Sequence, residues 1–137
     1  MILPLIKGLK LTLSRFFSKP VTIKYPEQKM DPAPRWRGIQ YFVGDEKGKT
    51  TCVACGLCMA VCPSQCIYVE TAEDENGRRY PAVYELNALR CIYCGYCEEV
   101  CPVDAIKMGK NYEWVGYGRD EFILTTERLL EEASLNR

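Results

Sequence analysis

The sequence predicts a small α+β fold built by duplication, preceded by an N-terminal amphipathic helix and an extended arm. Three observations predict it. Residues 52–70 align without gaps on residues 91–109 at a constant offset of 39, and eight of the nineteen positions are identical. Between the halves, two runs rich in Val, Ile, Thr and Tyr flank Asp74-Glu75-Asn76-Gly77, which reads as a hairpin turn. Ahead of the repeat, apolar residues recur at helical spacing, and Pro20, Pro26, Pro32 and Pro34 then exclude a continuing helix. Four segments are expected: helix 1–19, arm 20–49, duplicated domain 50–110, and a C-terminal extension 111–137 with a short helix.

In the first segment Ile2, Leu5, Ile6, Leu9, Leu13, Phe16 and Phe17 share one face. Lys7, Lys10, Ser14 and Arg15 fall mostly elsewhere, while Leu3 and Leu11 interrupt the pattern. Pro4 sits in the first turn, where its missing N–H costs nothing, and Ser18-Lys19-Pro20 ends the helix. The arm carries Arg35-Trp36-Arg37-Gly38 and Tyr41-Phe42-Val43. Aromatic side chains in an irregular stretch either dock on a partner or fold back on the body. Strands are expected at 67–71 and 79–85. Thr125 or Thr126 can cap a last helix to about Leu135, with Leu129, Leu130 and Ala133 on its buried side.

Nine cysteines in 137 residues mean disulfides or metal. Disulfides belong to exported chains, yet Lys7, Lys10 and Arg15 interrupt the apolar start and no small-residue cleavage site follows. No stretch approaches the ~18 uncharged apolar residues of a membrane span. A reducing compartment, with the cysteines as ligands, is the expectation. The absence of histidine removes mixed Cys/His zinc sites, Rieske clusters, His-ligated haem and a histidine general base.

The two halves read Cys52-Val-Ala-Cys55-Gly-Leu-Cys58-Met-Ala-Val-Cys62-Pro63 and Cys91-Ile-Tyr-Cys94-Gly-Tyr-Cys97-Glu-Glu-Val-Cys101-Pro102. Both are C-x2-C-x2-C-x3-C-P, the run of bacterial two-cluster (2×[4Fe–4S]) ferredoxins. Three thiolates at that spacing wrap three corners of a cuboidal cluster, and the fourth is directed to its twin. Cluster one is therefore expected on Cys52, Cys55, Cys58 and Cys101, and cluster two on Cys91, Cys94, Cys97 and Cys62. Gly56 and Gly95 let the backbone approach the inorganic sulfides, and Pro63 and Pro102 turn the chain after the ligand. Two four-cysteine zinc sites are the competing reading, but zinc takes cysteines in separated pairs and gives the third cysteine of each run no place.

Cys66 is the odd cysteine, matched by Ala105 in the repeat, and reads as a small buried apolar side chain, with a redox-sensing thiol as the alternative. Tyr93 and Tyr96 stand between ligands, where rings keep water off a cluster. Glu98, Glu99 and Asp104 read as a solvated or docking face. No phosphate loop or catalytic constellation is present. Net charge is zero but uneven: +6 over residues 1–49 and −6 over 50–137. A basic arm on an acidic body suits an anionic surface or acidic partner, and no nucleic acid is expected. A two-cluster domain needs only residues 50–110. The helix, with seven apolar side chains and Lys7, Lys10, Arg15 and Lys19, reads as an element lying on a membrane or membrane subunit, or else packed on its own domain.

The chain resembles the two-cluster ferredoxin-type subunit I of respiratory complex I, the proton-pumping NADH:quinone oxidoreductase. The resemblance runs from about Ile6 to Leu130, through Lys19-Pro-Val-Thr-Ile-Lys-Tyr-Pro26, Arg35-Trp-Arg-Gly38, Cys52-Val-Ala-Cys-Gly-Leu-Cys58, Cys62-Pro-Ser-Gln-Cys-Ile67, Arg79-Tyr-Pro81 and Arg90-Cys-Ile-Tyr-Cys-Gly-Tyr-Cys97. It implies a non-catalytic relay subunit of the peripheral arm, carrying electrons from NADH-derived clusters toward the terminal cluster and quinone. Its implied partners are the upstream iron–sulfur subunit, the terminal-cluster and quinone-site subunits and a membrane subunit. It further implies that residues 2–17 lie on the cytoplasmic face of the bacterial inner membrane. Thr50-Thr51 before the first motif and the short tail depart from the family pattern. Competing readings are the equivalent subunit of a related membrane-bound hydrogenase or ferredoxin-fed dehydrogenase, and a diffusible two-cluster ferredoxin.

Overall fold

The computed structural model describes residues 2–45 and 48–135; the expected segment ends at Met1 and Arg137, and Glu46 and Lys47 of the arm, lie outside them. The chain divides into two compact units, Met1–Pro32 and Ala33–Arg137.

In the first unit, α1 spans Ile2–Phe16 and none of its residues is buried. It closes where the sequence places its stop: the Ser18 N–H and Oγ–H both donate to Arg15 O, at 3.1 and 2.7 Å, and Pro20 follows. Residues 17–32 form no helix or strand.

The second unit holds β1 (Gln40–Phe42), α2 (Leu57–Val61), β2 (Ile67–Glu73), β3 (Arg79–Asn87), α3 (Tyr96–Glu99), β4 (Ile106–Met108), β5 (Ile123–Thr125) and α4 (Thr126–Leu135). Two antiparallel sheets result, one of β1 and β4, the other in the order β2-β3-β5. The hairpin forms as expected, with Asp74 Oδ1 accepting from the Asn76 and Arg78 N–H groups at 2.9 and 2.8 Å and Gly77 at φ 74°. On β3 every second residue faces inward: Tyr84 and Leu86, followed by Ala88, are buried. They meet Ile67, Phe42, Ile106, Leu124 and Leu129 in one core. Leu129 is wholly buried and Leu130 and Ala133 half-buried, so α4 presents the side its periodicity predicts.

The expected arm at 20–49 is corrected. From Ala33 onward it belongs to the body, because β1 pairs Gln40 with Met108, Tyr41 with Lys107 and Phe42 with Ile106. Phe42 is 1% exposed, so of the two readings of Tyr41-Phe42-Val43 folding back is the one observed. Arg35-Trp36-Arg37-Gly38 folds back likewise, with the Trp36 ring edge-on to Tyr112 and Arg37 paired to Glu99 at 3.6 Å. Gly38 donates its N–H to Gly109 O at 2.7 Å, and a Cβ there would run into the Asn111 carbonyl. Gly38→Ala should therefore cost about 1–3 kcal/mol by overpacking backbone against backbone, read as a lowered thermal midpoint; an unchanged midpoint would show that the 109–111 stretch yields freely.

Candidate metal centres

Each cysteine loop is built the same way, and the backbone shows why the spacing works. The four non-glycine residues with positive φ among the described residues are Ala54 and Tyr93 (49° and 53°) and Gln65 and Asp104 (48° and 51°). Each pair is separated by 39 residues, the offset of the repeat, so the duplication extends to conformations that side chains ordinarily avoid. The first pair aims an amide back at a sulfur: Ala54 N–H donates to Cys52 Sγ at 3.4 Å and Tyr93 N–H to Cys91 Sγ at 3.3 Å. Gly56 (φ 75°) and Gly95 (φ 82°) follow and start α2 and α3. Such amides offset negative charge on thiolates.

The short helices then exchange cysteines. Cys52, Cys55 and Cys58 line one cleft, and the fourth cysteine in its wall is Cys101, from beyond α3. Cys91, Cys94 and Cys97 line a second, and its fourth ligand candidate is Cys62, from the end of α2. All eight sequence-predicted residues are thus brought together in the two crossed groups. Among the described residues, no three cysteine or carboxylate side chains converge on a point for a single ion. The donor chemistry, eight thiols in two apolar-walled clefts, fits a cube with ligands at its corners.

The walls are asymmetric. Phe42, Val69, Tyr84 and Ile106 close the first cleft, and the Tyr84 hydroxyl donates to Cys58 Sγ at 3.8 Å. Burial pushes the Cys52 and Cys58 thiols above their ordinary range, and lifts Cys97 to about 12. Without a compensating cation these sulfurs would keep their protons. Cys91 runs the other way, held at about 7 by the Cys66 thiol first, then by the Tyr93 amide and Gln40, against the opposing effect of burial. Cys66 is buried as expected, but it stands 3.5 Å from Cys62 Sγ and lines the second cleft, so it is more than packing. Tyr93 is half-buried but lines neither cleft, whereas Tyr96, 49% exposed, lines the second. Lys107 ties Asp104 and Glu98 together at 2.5 and 3.7 Å.

Sequence reasoning missed Gln40, Ser64 and Tyr84 as wall residues. Tyr84 was within reach, since strand alternation turns it inward. Gln40 meets Cys91 across 51 positions and leaves no local signal.

Comparison with known proteins agrees with this geometry. Residues 51–111 match the 4Fe-4S dicluster domain family. The chain is 53% identical to NADH-quinone oxidoreductase subunit I 1 of Geobacter sulfurreducens, over 96% of this chain and 99% of that one. It is 48% identical to subunit I 2 of Geobacter metallireducens, over 96% and 100%. With subunit 9 of the Thermus thermophilus enzyme it shares 45% identity over 92% of this chain and 72% of the relative. Among solved structures, a chain of the membrane-bound sulfane sulfur reductase, an archaeal respiratory membrane complex, matches at TM-score 0.56 and 30% identity, over 82% of this chain and 56% of that one. With that length, that identity and these paired cysteine clefts, the chain belongs to the subunit I family of NADH-quinone oxidoreductases and is an iron–sulfur protein of two [4Fe–4S] clusters.

Proposed function

We propose that this chain is the relay subunit of the peripheral arm of a proton-translocating NADH-quinone oxidoreductase, passing electrons from NADH-derived clusters toward the terminal cluster and quinone without an active site of its own. One observation carries the reading: each cleft is lined by three cysteines of one motif and the fourth of the other. Cys52, Cys55, Cys58 and Cys101 hold the first cluster, and Cys91, Cys94, Cys97 and Cys62 the second. When bound, the clusters supply reversible one-electron chemistry. The chain's own residues anchor, insulate and tune. The exchange of Cys62 and Cys101 ties the two centres through two short helices, so neither moves without the other. Phe42, Tyr84 and Leu86 exclude water, and the Ala54 and Tyr93 amides brace ligand sulfur.

The first unit serves attachment. α1 carries Ile2, Leu5, Ile6, Leu9, Leu13 and Phe16 exposed along a helix too short to cross a bilayer. With Phe17, their burial at ~1.5–3 kcal/mol each is worth on the order of 10–20 kcal/mol as an upper bound. Four basic residues over anionic lipid add about 1 kcal/mol apiece. Apolar burial drives attachment, and charge sets orientation, on the cytoplasmic face of the inner membrane and against a membrane subunit. The partners in the peripheral arm are the upstream iron–sulfur subunit and the subunits of the terminal cluster and quinone site.

Deleting residues 2–17 should leave the brown chromophore intact and move most of the chain from the membrane to the soluble fraction. Unchanged fractionation would contradict the attachment role. The relay role is tested by purifying the assembly from native membranes, where NADH-oxidising and quinone-site subunits should accompany the chain. The likeness to the sulfane sulfur reductase chain favours a second reading, the same relay in a related membrane complex fed by another donor, such as a hydrogenase or a ferredoxin-fed dehydrogenase. Copurifying subunits of that kind, in place of an NADH-oxidising flavoprotein, would select it.

A further inference from the structure

The repeat is symmetric in its cysteine loops, but the segment just ahead of it meets them unequally: Phe42 closes the first cleft with a ring, whereas Gln40 brings a hydrogen-bond donor to a sulfur of the second. Gln40, on β1, is 1% exposed and donates Nε2–H to Cys91 Sγ at 3.2 Å. Its Oε1 is buried with no partner among the described residues. Turning the amide over would set a carbonyl oxygen against a ligand thiolate, two acceptors face to face, so the donor orientation is the chemically allowed one. A buried glutamine with half its hydrogen-bonding capacity unmet is a poor choice for packing alone. Three residues earlier, Arg37 lies against the same loop: a Cβ on Gly95 would fall 2.9 Å from Arg37 Nε, and the guanidinium pairs with Glu99 on α3 at 3.6 Å. The repeat partner of Cys91 is Cys52, which receives the equivalent backbone donor from Ala54. The repeat partner of Cys66 is Ala105, which has no S–H to give.

We infer that residues 37–40, outside the duplicated motif, hold the reduction potential of the second cluster above the value its cysteine loop alone would set, through the Gln40 donor on Cys91 and the Arg37 charge over Gly95. The inference rests on the ligand assignment proposed above. Reduction adds one electron, delivered by the upstream donor of the relay, and breaks no bond. The added negative charge spreads onto the ligand sulfurs, so a donor on one of them and a cation beside it favour the reduced form. The acidic groups on the same side, Glu98 and Asp104, are engaged by Lys107, and Glu99 by Arg37. Losing Arg37 therefore also releases the Glu99 charge, in the same direction. The first cleft has a longer contact of the same kind, the Tyr84 hydroxyl on Cys58 Sγ at 3.8 Å, so the two centres, alike in their loops, are tuned by different residues outside them.

The test uses the full chain with clusters assembled anaerobically, titrated potentiometrically and followed by EPR. Cys101→Ala, which should retain only the second cluster, identifies its signal. In Gln40→Met the ratio of reduced to oxidised second cluster at a fixed potential should fall about tenfold, a downward shift of about 59 mV for a one-electron couple. Arg37→Gln, at a half-exposed side chain, should shift the same cluster in the same direction, and neither variant should move the first. Potentials that do not move, or that move together in both clusters, overturn the inference. A third measurement needs no substitution: with 15N-glutamine in the unmodified chain, the reduced second cluster should show a nitrogen coupling, and its absence overturns the Gln40 contact. Iron-replete protein with unmoved potentials sinks this inference alone, whereas a folded chain that takes up no iron sinks the ligand assignment beneath it.

Discussion

Cys101→Ala is expected to abolish the first cluster, whose other ligands lie some forty residues earlier, and to leave the second in place with about half the iron retained. Cys101 belongs by sequence to the second motif, but it lines the cleft of Cys52, Cys55 and Cys58. Its Sγ already accepts the Ala105 N–H at 3.2 Å, which orients it. Alanine leaves three thiolates and an open corner, and a cube with one exposed iron is readily lost to oxidation or exchange. The paired result is Cys62→Ala, which should abolish the second cluster. Iron analysis and EPR of the two anaerobic variants read the outcome. Loss of the second cluster alone from Cys101→Ala would mean that each motif serves its own centre.

Removing both clusters should have an equally large effect on the body, which is expected to lose its cooperative thermal transition. The core between the sheets is small, and several of its members are cysteines or stand beside them: Cys66, Cys97, Tyr84 and Leu86 belong to one buried cluster with Phe42 and Ile106. Four non-glycine residues held at positive φ cost roughly 1–3 kcal/mol each. The amides that Ala54 and Tyr93 direct at sulfur offset their share of that cost only when the sulfur carries charge. Without metal, the buried Cys97 and half-buried Cys58 thiols take protons, and two clefts are left with nothing to fill them. Metal ligation supplies folding free energy in domains this small. Chelation under anaerobic conditions, followed by calorimetry, reads the effect; an apo chain that melts at the same temperature would place the stability in the apolar core instead.

Much of this architecture is visible before any coordinates, because its signals are local. The cysteine spacing carries the eight cysteines that line the two clefts, the offset of 39 carries the pseudo-twofold loops, and Asp74 to Gly77 carries the hairpin. Thr126 and the apolar side of α4 mark the last helix. What is hidden is what joins distant segments. β1, β4 and β5 are three residues each, too short for a period to show. Their existence is decided by pairing partners far along the chain, and so Tyr41-Phe42-Val43 reads equally well as a docking patch. The same cause hides Gln40, whose meaning lies in Cys91, and turns Cys66 from filler into a neighbour of two ligand candidates. Prolines at 20, 26, 32 and 34 suggest one continuous arm, but the chain joins the body after the third of them. Proline reports local backbone restriction and says nothing of tertiary contact.

Iron and acid-labile sulfide analysis, with an absorption spectrum, on the full chain purified without oxygen decides whether the eight cysteines hold two clusters. The expected result is brown protein with about eight irons and as many sulfides per chain, in which the broad charge-transfer band bleaches reversibly on reduction. Folded, colourless protein without iron, or protein carrying zinc on the same cysteines, would contradict it.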